Sequence, residues 1–207
     1  LLFGNSNKEE DQIGQFGEGL KMASLVLARN GRNLRLVTKG FEYCAKIERD
    51  TEFDSDVLVL YLKKSRKRIG TDIYFDCTEK EMNETKNLFL EFNKNFKQID
   101  NGIYSPGNYI FANGVMIEKT NTLYSYNLTD AKKHLSRDRK SLNIDAAKLE
   151  ISVIIGMCRN EKFITIFLED RDHYHFEQSL DISISSIARS EWKKVMNKVY
   201  PKHCIPT

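Results

Sequence analysis

The chain has 207 residues, 41% of them hydrophobic and 29% charged, and a formal net charge of +3. That length holds one large domain or two small ones with a substantial core. The composition is that of a globular chain and excludes collagen-like and low-complexity classes, while the charge is too small to argue for nucleic acid by itself.

Taken in order, residues 1–12 read as a polar loop. Ile13 to Gly31, IGQFGEGLKMASLVLARNG, then sets Gly14, Gly17 and Gly19 at G-x-x-G-x-G spacing, directly ahead of an apolar run with Leu20, Ala23, Ser24 and Leu27. This is a glycine loop feeding a helix from Glu18 to about Asn30. Glycines let backbone approach a ligand, the first helical amides lack partners, and an anion such as phosphate is the natural occupant. A Rossmann reading fails because the preceding residues are polar, and a Walker loop fails because Lys21 is followed by Met22.

Three extended runs follow. NLRLVTKG and FEYCAKIERD read as a hairpin around Lys39-Gly40, and SDVLVLYLKK as a third strand. KKSRKR, Lys63 to Arg68, reads first as a solvated hairpin end and second as a contact for nucleic acid or an acidic partner. RIGTDIYFDC is a fourth strand carrying Gly70-Thr71.

Thr78 to Glu81 forms a capping box that opens a helix running toward Phe96, with Phe89, Phe92 and Phe96 as its core face. Gln98 to Gly107 is turn-rich and marks a domain boundary, giving domains 1–98 and 108–207. NYIFANGVMIEK is a hairpin turned at Asn113-Gly114, and TLYSYNLTD is a strand ending in a helix cap. Asp145 is expected to cap a helix whose Leu149, Val153, Ile154 and Met157 recur with helical period. ISISSIARSEWKKVMNKVYP is a last amphipathic helix, anchored by Trp192 and stopped near Pro201.

Cys44, Cys77, Cys158 and Cys204 make neither a zinc spacing nor a disulfide framework, which points to a reducing compartment. His173-Tyr174-His175 could set two imidazoles on one strand face, but without a third ligand they read as surface residues and no metal site is expected. No apolar run reaches the ~20 residues a membrane helix needs.

FGNSNKEEDQIGQFGEGLKMA resembles the ATP lid and second glycine box of the GHKL ATPases, the superfamily of gyrase, heat-shock-ninety chaperones, histidine kinases and MutL. Its Ile13 to Gly19 phrase is most similar to the chaperone branch. The resemblance implies an α+β fold: the C-terminal part of a GHKL (Bergerat-type) α/β sandwich, then a smaller, S5-like α/β second domain.

It also implies an ATP-binding and ATP-hydrolysing conformational switch, chaperone-like or MutL-like, in which lid amides hold the triphosphate. Gly14, Gln15, Phe16, Gly17, Glu18, Gly19 and Leu20 would be those residues, Lys8 or Lys21 would pair with phosphate, and Thr71 would reach the adenine edge. Ser136-Arg137-Asp138 is similar to the second-domain S-R-E phrase, making Arg137 the first and Arg139 the second candidate to sense the γ-phosphate. Lys132 and Lys133 are weaker options. In the family the Glu that activates water and the Asn that holds Mg²⁺ precede the lid, so they are expected upstream of Leu1. A protein client or partner and a homodimer are expected by the same analogy, in the cytoplasm or, in a eukaryote, the nucleus. The alternative is a non-catalytic interaction module of the same fold.

Overall fold

The computed structural model describes residues 19–66, 69–129, 131–134 and 142–201. These form a mixed α+β chain of two compact units that divide between Glu84 and Thr85.

The N-terminal unit opens with α1 (Gly19–Arg29), whose Ser24 is buried and donates its hydroxyl to the Leu20 carbonyl. Asn30 and Gly31 end it as expected, with Gly31 at φ 66° where a left-handed residue is needed to leave the helix. Four antiparallel strands follow: β1 (Leu34–Thr38), β2 (Phe41–Asp50), β3 (Ser55–Lys64) and β4 (Asp72–Phe75), in spatial order β3-β2-β1-β4. Cross-strand partners such as Leu36↔Tyr43, Tyr43↔Leu62 and Leu36↔Ile73 share one face, which is apolar over its centre, has Thr38, Arg49, Asp56 and Lys64 toward its ends, and carries α1. The opposite face takes the intervening residues, including Arg35, Glu42, Lys46, Glu48 and Tyr74.

The Thr78 capping box forms as expected at α2 (Glu79–Lys86). Thr78 Oγ1 accepts from the Glu81 amide at 3.2 Å, and the Glu81 carboxylate accepts from the Thr78 amide at 2.8 Å. Arg32 grips the same carboxylate with two bonds of 2.8 and 2.6 Å. The helix stops at Lys86 and does not reach Phe96. Asn93 holds the following turns by donating to the Asn87 carbonyl and accepting from the Asn95 amide, bonds that compete with a helical ladder. The phenylalanines therefore do not share a core face. Phe92 is 52% exposed, whereas Phe96 packs edge-on against Tyr109 and Phe111.

The C-terminal unit is built on a sheet ordered β5-β6-β9-β7-β8. Its strands are β5 (Lys97–Asp100), β6 (Ile103–Ser105), β7 (Tyr109–Ala112), β8 (Val115–Lys119) and β9 (Ser125–Leu128). Gln98 to Gly107, expected as a domain boundary, thus falls largely within the first hairpin of this sheet, turned at Asn101-Gly102, and the division between units comes earlier, inside α2. The β7–β8 hairpin turns at Asn113 (φ 47°) and Gly114 (φ 77°), as the Asn-Gly pair predicts.

After β9 come α3 (Ala131–His134), α4 (Ile144–Met157), α5 (Glu161–Asp170), α6 (His175–Gln178) and α7 (Arg189–Val199). The cap of α4 is Asn143, whose Oδ1 accepts from the Ala146 amide; Asp145 lies one turn inside, where its charge favours the helix dipole. The buried side of α4 is Ala147, Ile151 and Ile155. Of the periodic set Leu149, Val153, Ile154 and Met157, Ile154 packs against the core, while Leu149, Val153 and Met157 are 72%, 58% and 49% exposed. An apolar residue on every side of α4 lets periodicity mark either face. Arg171–His173 is a 3-10 turn and His175 opens α6, so His173 and His175 do not lie on a strand. The last helix starts at Arg189 because the preceding serines turn the chain: Ser185 donates its amide to Gly156 and accepts from Ile187. Trp192 anchors it, buried and donating Nε1–H to the Cys158 carbonyl at 3.0 Å.

Candidate functional site

Among the expected site residues, Lys8, Gly14, Gln15, Phe16, Gly17 and Glu18 lie outside the described residues, as do Ser136, Arg137, Asp138 and Arg139. The described ones fall in two places.

The first is the apolar face of the N-terminal sheet. Gly19, Leu20 and Lys21 form the opening turn of α1. Beneath that turn is a cavity of about 280 Å³ walled by Leu20 and Ser24 of α1, Leu34, Leu36 and Thr38 of β1, Tyr43 and Ala45 of β2 and Leu60 of β3. Its lining is mostly aliphatic with a few hydroxyls, the composition of a site for a flat, largely apolar ring with polar edges. Thr71 is not in the wall, but its hydroxyl lies 3.0 Å from that of Thr38, which is. The reason is local. Gly70 sits at φ 74°, a conformation that an L side chain would strain, and it swings the chain into β4 so that Thr71 continues the Val37↔Asp72 register beside Thr38. Gly70 thus acts as the turn that opens β4, and it sets the Thr71 hydroxyl beside that of Thr38. Thr38 was missed at the sequence level; its signal was its place at the end of β1, opposite the strand that Gly70-Thr71 opens.

The second place is the base of the segment that carries Arg137 and Arg139. His134, 2% exposed, pairs through Nε2 with Glu150 of α4. The other Glu150 oxygen accepts from the Thr129 amide at 2.7 Å and hydroxyl at 2.9 Å. The Asn143 amide donates to the His134 carbonyl at 2.8 Å, so the two ends of the intervening segment are held together. Lys132 and Lys133 lie on α3 just before it.

One further acidic group escaped the sequence reading. Glu177 has no exposed surface, and its Oε1 accepts from the Leu123 amide and the Tyr126 hydroxyl, each at 2.9 Å. Burial pushes its carboxyl above the ordinary value, against the hydrogen bonds that favour the charge. Nothing in HFEQ distinguishes it from a surface acid, because its partners lie some fifty residues away. Both donors to Oε1 belong to the C-terminal core, while the buried Oε2 has no hydrogen-bond partner among the described residues.

Among the described residues no group of three His, Cys, Asp or Glu side chains is arranged to hold a metal ion, and no helix is long and apolar enough to cross a membrane. No family model, curated protein or solved structure matches this chain.

Proposed function

We propose that the N-terminal unit is the lid side of a GHKL-type nucleotide site and that the chain works as an ATP-dependent conformational switch. The Thr38–Thr71 hydroxyl pair against the aliphatic cavity under α1 is the observation that supports this most. An adenine ring would enter that cavity. Thr71, oriented by Thr38, would donate to or accept from its edge. The triphosphate would lie toward the opening of α1, where the amides of Gly19 and Leu20 add to those of Gly14, Gln15, Phe16, Gly17 and Glu18. Lys8 or Lys21 supplies countercharge.

Arg137, and behind it Arg139, would read the γ-phosphate. A guanidinium offers a permanent charge and a planar donor fork that matches phosphate oxygens. The His134–Glu150 pair and the Asn143 to His134 bond give that segment a fixed base from which to engage or release. Magnesium, when bound with the nucleotide, would neutralise phosphate oxygens. No residue of the described set is assigned to hold it or to activate water, so hydrolysis as distinct from binding rests on the resemblance alone.

The test is titration calorimetry with Mg-ATP, Mg-ADP and adenosine. Binding of ATP that Gly17→Asp abolishes, and that Thr71→Val weakens by roughly 2- to 10-fold for one lost hydrogen bond, supports the site. Arg137→Ala should leave ADP affinity unchanged and lower that for ATP. A chain that binds none of these ligands at millimolar concentration overturns the reading.

A further inference from the structure

Among the described residues β3 is an edge of the N-terminal sheet, pairing with β2 over its full 10 residues without a bulge. Natural edge strands are usually short, bulged, proline-bearing or charged along their length, because an open row of N–H and C=O groups templates pairing with another chain. The centre of this edge, Val57 to Leu62, has none of these protections. Leu60, Tyr61 and Leu62 are 36%, 41% and 57% exposed. Its charges sit only at the ends: Asp56 near the start, Lys63 and Lys64 at the finish.

We propose that a second copy of this chain pairs with β3, antiparallel, about a two-fold axis through Leu60. In that register Leu60 meets the partner's Leu60, Leu58 meets the partner's Leu62, and Asp56 meets the partner's Lys64. The acidic start of each strand thus lies against the basic end of the other, and both copies offer the same surface, as a two-fold contact requires. The faces agree as well. Leu58, Leu60 and Leu62 stand opposite Ile47, Ala45 and Tyr43 of β2, on the apolar side that carries α1. The register therefore joins two apolar faces into one.

A slip by one residue would join the apolar face of one copy to the polar face of the other. A slip by two would set either Asp56 or Lys64 against a leucine. The pairing needs no nucleotide and does not rest on the nucleotide reading.

The experiment is sedimentation velocity on the full chain across micromolar concentrations, without nucleotide, alongside amide exchange of β3. Wild type should be a dimer whose Leu58, Leu60 and Leu62 amides, the ones that alternate away from β2, gain protection as concentration rises. Leu60→Lys, which opposes two like charges on the axis, should raise the dissociation constant at least about tenfold. Asp56→Lys and Lys64→Asp should each weaken association by roughly 3- to 10-fold, and the double variant should recover most of it. Asp56 also lies 3.6 Å from Arg49, a pair the double variant does not restore, so recovery reads the contact between copies alone. Circular dichroism checks that each variant is folded; the wild-type exchange pattern tests the idea without any variant.

A monomer with unprotected β3 amides at every concentration overturns the proposal and leaves the edge to a strand from another protein. A dimer indifferent to Leu60→Lys, or single variants that the double does not rescue, overturns it equally.

Discussion

In the C-terminal unit the inner side of the sheet and helices α4, α5 and α7 close over Ile103, Ile110, Tyr126, Ile151, Ile155 and Phe167, each with no exposed surface. In the N-terminal unit one helix lies on a four-stranded, largely apolar face, and among its described hydrophobic side chains only Leu34 and Ala45 are buried. Leu62, Ile73 and Phe75 of that face remain 57%, 52% and 46% exposed. The same kind of amphipathic strand serves two ends. One unit spends its apolar surface on its own core, and the other keeps its surface for whatever it binds.

That contrast can be broken by mutation. Phe163, 1% exposed and ringed by Tyr124 and Phe167, should cost about 3–5 kcal/mol when changed to Ala, measured by urea unfolding. Gly156→Ala should follow at about 1–3 kcal/mol, since the added carbon would meet the Ser183 carbonyl oxygen at 2.3 Å on backbone that has little room to shift. At the other extreme Leu62→Thr should change stability by no more than ~0.5 kcal/mol. A large loss there would mean that the open face is already covered in solution.

The pH responses sharpen the same comparison. Glu81 is held down at about 2 by the Arg32 fork and the Thr78 donors. A lowered acid stabilises above its unfolded value near 4.5, and that contribution is lost as pH falls toward 2. Glu177 is raised by burial, so its contribution is complete below 4.5 and is lost as pH climbs through the folded value. Glu81→Gln should flatten the acid side of the unfolding profile of the N-terminal unit. Glu177→Gln should flatten the loss above pH 4.5 in the C-terminal one. The two slopes, followed by unit-specific probes, should have opposite sign. Thr78→Ala should cost about 1 kcal/mol in the same urea measurement, for a lost helix cap.

Local signals were the readable part of this sequence. The Asn113-Gly114 hairpin, the Thr78–Glu81 capping box, the Lys39-Gly40 turn and the Asn30-Gly31 helix end all formed where residue chemistry puts them, because each is decided by bonds within a few residues. Long-range burial was not readable. On α4 the periodic set Leu149, Val153, Ile154 and Met157 does not mark the buried side, because Leu149, Val153 and Met157 are as apolar as Ala147, Ile151 and Ile155, and only the packing of β9 and the Ser183 segment tells them apart. At the site, Gly70-Thr71 was legible as a pair, but Thr38 and the cavity beside it emerge only when β1 and β4 meet.

The strand order of the second sheet has a consequence in time. β5–β6 and β7–β8 are two hairpins, each joined by a short turn and complete within its own stretch of chain. They do not pair with each other. β9, the last strand to be synthesised, enters between them, antiparallel to β6 and parallel to β7. Until it arrives there are two ribbons and no sheet. A nascent chain released before Ser125 would carry two short hairpins with no strand to join them and would hold no part of the finished core at that seam. Joining the two ribbons into one sheet therefore waits on four residues, and the helices that cover that sheet, α4, α5 and α7, come later still in the chain.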